Sequence, residues 1–269
     1  MEILAYAIWG ALGGCVLVAL LLFIYARVRS NNQDVVEAPS TDNENAPLEL
    51  DIGRWEQMIT WFGLHKCPVP DSDEKKMAWA QEHLGIEPEW LAGEDVSMYP
   101  FLSFNNAVEE GVDYIASLKD NGADPVLYVV KPRDVLLAEE IMDACAVLCF
   151  AATPSLPGCS IRRYYPVNVY WEWGYPPERV QCAQIIYTAI RAGLEIKGME
   201  AVPEEVYALV EGKKIPEPLL HDHPPTWDPR SVAKAGEDLA GVKKGMLPAQ
   251  ELIENISARG WDRRENGRA

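Results

Sequence analysis

Residues 3–26 carry no Asp, Glu, Lys, Arg or His. Wound as an α-helix at about 1.5 Å per residue, such a run is long enough to cross the roughly 30 Å of hydrocarbon in a bilayer. The run is too long for the apolar centre of a cleaved secretory signal, its start is Met1-Glu2 rather than basic, and Arg27 and Arg29 stand where a small-residue cleavage site belongs. Residues 1–29 are therefore expected to form a retained transmembrane anchor. Tyr6, Trp9 and Tyr25 stand near its ends, where amphipathic rings settle at the membrane–water boundaries.

Arginines flanking a span stay on the cytoplasmic side, whereas Met1-Glu2 crosses readily. The expectation is a single-pass protein with its N-terminus outside and its soluble domain in the cytoplasm. Cys67, Cys145, Cys149, Cys159 and Cys182 follow the span, an odd number without repeated spacing, so reduced thiols are the simpler reading. Within the run, Gly10 and Gly14 form a small-xxx-small stripe through which two such helices could associate.

Residues 30–50 are rich in Asn, Asp, Glu, Ser and Pro and poor in bulky apolar side chains, which predicts a disordered acidic tether. About 20 flexible residues reach about 25 Å. With Glu2, Arg27 and Arg29 set aside, 22 Lys+Arg face 40 Asp+Glu. A body so acidic is repelled by nucleic acid and by anionic lipid headgroups, so no nucleic-acid partner is expected. Nine Trp and 48% hydrophobic residues supply a core.

That body, residues 51–224, reads as α+β or α/β with a small sheet, its first part (51–122) mainly helical. Trp55, Ile59 and Phe62 share a helical face, and the run 71–85 begins with Asp/Ser capping chemistry and ends at Gly85. Val108, Val112, Ile115 and Leu118 mark a third helix. Residues 126–130, VLYVV, read as a strand. The run 133–152 fits one helix or a helix entering a short strand at 146–151. Tyr165, Val167, Val169, Trp171 and Trp173 alternate onto one face of an edge strand carrying Pro166, and a helix from about 177 to 192 follows. Residues 225–262 predict a helical hairpin: Asp228-Pro229 open its first helix, Gly245 ends it, and Pro248 opens the second. Residues 263–269 form a tail.

The hairpin pattern resembles the C-terminal end of lambda-type phage portal proteins. Trp227-Asp228-Pro229, Ala233, Ala235, Asp238-Leu239, Gly245, Glu251, Ile253, Arg259-Gly260 and Asp262 carry the likeness, over about a seventh of the chain. The resemblance implies a phage-derived assembly protein. A second stretch, LGIEPEWLAGED at 84–95, is similar to the end of phage-repressor helix-turn-helix domains, but no pair of DNA-reading helices precedes it.

Candidate chemistry is sparse. His221 and His223 would lie on one side of an extended segment as weak metal candidates, although zinc needs a third protein ligand. Cys145 and Cys149 sit in an apolar run, where free cysteine packs as a small hydrophobe. No phosphate-binding glycine loop, nucleophile elbow or H-E-x-x-H is present, and no cofactor is expected. The strand face opposite Trp171, made of Tyr164, Asn168, Tyr170 and Glu172, is rich in tyrosine and is expected to bind a protein partner. The reading is a membrane-anchored, cytoplasm-facing acidic interaction or scaffold protein, with the bilayer and another protein as its partners. The alternatives are a membrane-tethered, hydrolase-like enzyme and a phage-derived assembly protein.

Overall fold

The sheet at the centre is built from two runs that are apolar on both faces. VLYVVKP and CAVLCFAA have no alternation of polar and apolar side chains, so each must be covered from both sides. They form β1 (Val126–Pro132) and β2 (Cys145–Ala152), antiparallel with Val129 opposite Leu148. On one side β3 (Arg163–Pro166) pairs antiparallel with β2, Tyr165 opposite Phe150. On the other, β5 (Glu195–Ala201) pairs parallel with β1, Tyr128 opposite Lys197. The order is β3-β2-β1-β5, and β4 (Trp171–Glu172) pairs with the start of β2. In this computed structural model the described residues are 48–120, 124–137, 144–154, 156, 158–159, 161–221, 223–233 and 247–261.

Helices cover both faces. α1 (Ile52–Trp61) starts at Asp51, whose carboxylate accepts the Arg54 N–H at 3.1 Å. α2 (Asp73–Leu84) stops at Gly85, φ 72°, where an added Cβ would meet the Arg163 Nε at 2.8 Å. With α3 (Pro88–Leu91), α6 (Pro203–Val210) and α7 (Glu217–Leu220), they bury Met58, Leu84, Leu91, Leu209 and Leu220 against Tyr128, Cys149 and Tyr164. The other face takes α4 (Val108–Asp120) and α5 (Pro176–Arg191), which bury Val112, Ile115 and Ile185 against Leu127, Leu148 and Trp171. Each such side chain, fully buried, contributes roughly 1.5–3 kcal/mol.

The architecture is thus α+β with a small mixed sheet, and this corrects the expected fold class of a membrane span joined to a soluble domain with a helical hairpin. Among the described residues no helix is long and apolar enough to cross a membrane. The run 3–26, with Gly10 and Gly14, and the tether to residue 47 lie outside the described residues. Of the hairpin, the described parts are α8 (Arg230–Ala233) and α9 (Ala249–Ala258), and both contact α5. Ala233, Leu252 and Ile256 are buried in the core that α5 covers, and residues 234–246 of the expected hairpin lie outside the described residues.

Two further differences have local causes. The alternating run after Ile161 divides into β3 and β4, because the Val167 N–H turns back to the Leu148 carbonyl at 2.9 Å and the Asn168 N–H goes to Leu102 at 2.7 Å. Of the expected inward residues, Val167, Val169, Trp171 and Trp173 are buried all the same, and Tyr165 is half-buried. Cys67 and Cys159 form a disulfide across 92 positions, Cα–Cα 5.2 Å, which corrects the reading that all thiols are reduced. Spacing along the chain holds no information about two loops that meet only after the helices pack beside the β3 edge.

Candidate functional site

The expected contact face does not form one surface. Tyr164 is fully buried beneath α7, and its hydroxyl lies beside Glu217; burial, then that carboxylate, raises its pKa. Asn168 spends its polar groups inside the protein. Its Oδ1 accepts the Leu102 N–H at 2.8 Å and its Nδ2 donates to the Val210 carbonyl at 2.6 Å. It brackets a loop to α6. Tyr170 is half-buried and packs at a tilt against Tyr207 at 5.1 Å, and burial raises its pKa ahead of the Glu211 charge. Glu172 is exposed. The reason for the correction at Tyr164 is that helices cover both faces of the sheet there, and at Asn168 that the chain leaves the sheet between β3 and β4 and the amide ties that connection to its neighbours.

The loop that Asn168 holds presents what sequence reading missed. Phe101 is 80% exposed. Beside it opens a cavity of about 210 Å³ lined by Tyr99, Leu102, Tyr114, Arg163 and Tyr165. Phe101, Leu102 and Tyr114 also line an open groove of about 620 Å³ that runs past Glu110 and Asp113. The walls are packed: Tyr114 lies edge-on against Phe150 at 5.5 Å and Tyr165 at 6.0 Å. Arg163 lies over the Tyr165 ring at 5.2 Å and donates to the Glu82 carbonyl at 2.5 Å. Burial raises the pKa of Tyr99, Tyr114 and Tyr165, so these phenols are neutral donors at ordinary pH. The available signal was an aromatic side chain placed directly after Pro100 with no helical or alternating partner.

Weak metal candidates and thiols come apart in the same way. His221 Nδ1 lies 2.7 Å from Glu217 Oε1, whereas His223 lines a separate cavity at the sheet end. Among the described residues no three His, Cys, Asp or Glu side chains are placed to hold a metal ion. Cys145 and Cys149 lie on a strand rather than a helix; burial raises both thiols, and that of Cys182. Low reactivity follows, because the thiolate is the nucleophile. No family model matches this chain, and neither curated proteins nor solved structures give a match.

Proposed function

We propose that this chain is a protein-interaction or scaffold protein whose contact surface is the aromatic groove headed by Phe101. One observation carries the reading: a large aromatic side chain is left 80% exposed at the mouth of a groove with packed aromatic walls. Isolated exposed apolar residues are ordinary, but an aromatic anchor beside a preformed cleft matches the anatomy of interface centres. Exposed Glu110 lines the groove together with Asp113, which is paired with Arg259, and the whole chain has a formal charge of −17, so the partner segment is basic and apolar. Location at a membrane is proposed on the composition of residues 3–26 alone.

The test places a photoreactive aromatic analogue at Phe101 or at Leu136, which is 72% exposed away from the groove, in the full chain in its own cells. A discrete protein adduct is expected from position 101 and not from 136. Phe101→Asp should abolish that partner's co-purification while shifting stability by no more than about 0.5 kcal/mol. Equal adducts from both positions, or an unaffected complex with Phe101→Asp, would remove the groove as the contact surface.

A further inference from the structure

A second cavity lies at the opposite edge of the sheet, where β1 and β5 end side by side. The two strands are parallel, with Lys131 opposite Glu200 and Pro132 opposite Ala201, and the Arg133 N–H extends the ladder to the Ala201 carbonyl at 2.8 Å. Both carboxyl ends therefore open in one direction, the crevice that ligands use in parallel sheets. The chain returns over this crevice after α7. The Thr226 N–H donates to the Gly198 carbonyl at 2.8 Å, and Trp227 Nε1 donates to the Met199 carbonyl at 3.1 Å. Pro218, Pro224 and Thr226 close a space of about 390 Å³.

Charge is concentrated there. Lys131, only 5% exposed, donates to Glu200 at 2.5 Å and to the Val135 carbonyl at 2.6 Å. Lys214 is paired with Glu205. Arg133 and His223 line the same space, and neither closes an ion pair among the described residues. Lys131, behind the lining, and Lys214 thus hold Glu200 and Glu205, while Arg133 acts on Glu205 only through its charge and its fork makes no hydrogen bond among the described residues.

We infer that this crevice binds a small oxyanion-bearing metabolite, with Arg133 taking the anionic group and Glu200 and Glu205 accepting from hydroxyl or amino groups of the same molecule. A guanidinium offers parallel donors that match either a carboxylate or a phosphate ester. Glu200 and Glu205 each keep lone pairs beyond those used by their lysines, so the body of the ligand must bring donors. A space of about 390 Å³ stands at the small end of ligand pockets, which suits a compact polyol acid. Lys131 and Lys214 act as positioning residues that hold the two carboxylates in place.

Calorimetric titration of the full chain with glycerol 3-phosphate, glycerate and uncharged glycerol, at constant ionic strength, decides the matter. Saturable one-to-one binding of glycerol 3-phosphate or of glycerate is expected, and which of the two binds tells phosphate from carboxylate. Glycerol should give no heat of binding. Arg133→Gln should weaken binding about tenfold or more, with Arg133→Lys intermediate because the charge stays and the fork is lost. Both variants sit at an exposed position, so the melting temperature without ligand should be unchanged. Lys75→Gln, on the exposed side of α2, should leave affinity unaltered. No binding of either anion, or an equal loss from Lys75→Gln and Arg133→Gln, would overturn the site.

Discussion

Gly198 shows how one residue couples the sheet to the returning chain. It sits within β5, and an added Cβ would collide with the Trp227 carbonyl and approach Pro229 Cδ at 2.9 Å. The obstacle is backbone on one side and a ring on the other, so neither yields cheaply. Gly198→Ala should destabilise the protein by roughly 1–3 kcal/mol through overpacking, measured by urea unfolding. Wild-type stability in that variant would mean the 224–229 segment moves freely. At Trp171, fully buried, truncation to Ala should cost roughly 3–5 kcal/mol. Tyr164→Ala should also destabilise, because Tyr164 is core rather than surface; an unchanged melting temperature would contradict that placement.

At the scale of elements, the Cys67–Cys159 disulfide ties the turn after α1 to the loop before β3 and closes 92 positions of chain. Removing a bond over so long a loop should lower stability by roughly 2–4 kcal/mol, read from the double Cys→Ser variant. Disulfides persist in oxidising compartments and are rare in the cytosol. Thiol tagging of denatured protein taken from intact cells should show two fewer tags before reduction than after it. That outcome would put the body on the oxidising side, opposite to the side favoured by Arg27 and Arg29; equal tagging would return it to the cytoplasm. The α6 element carries a pH response of its own. Glu205 is held below the usual carboxylate range, first by its hydrogen bond from Lys214. Its contribution is complete above the ordinary carboxylate pKa and fades as pH falls through the lowered one. Glu205→Gln should therefore narrow the stability difference between neutral and acidic solution; an unchanged profile would show that the pair contributes nothing.

On the scale of the molecule, a formal charge of −17 makes self-repulsion a general term. Raising salt from low to physiological strength should raise the melting temperature by screening it, and a fall would mean that attractive pairs such as Lys131–Glu200 outweigh the repulsion. The groove at Phe101 and the crevice at Arg133 lie at the β3 and β5 sides of one sheet, each made by a loop folded over a strand end or edge.

What was legible in the sequence was whatever depends on neighbours along the chain. Helical periodicity marked 55–62, 71–85, 108–118 and 177–192, where α1, α2, α4 and α5 lie, and β-branched density marked 126–130, within β1. β5 escaped notice because the alternation begun by Glu195, Ile196 and Lys197 loses its phase at Gly198-Met199; its strand character comes from pairing with β1 and from Trp227 lying across it. Tyr164 was read as surface because local alternation cannot tell whether one face of a strand or both will be covered. The second set of helices decided that. Phe101, Arg133 and the disulfide were beyond sequence reading for one reason: each gains its meaning from residues 30 or more positions away, brought beside it only when burial of the two cores fixes the loops.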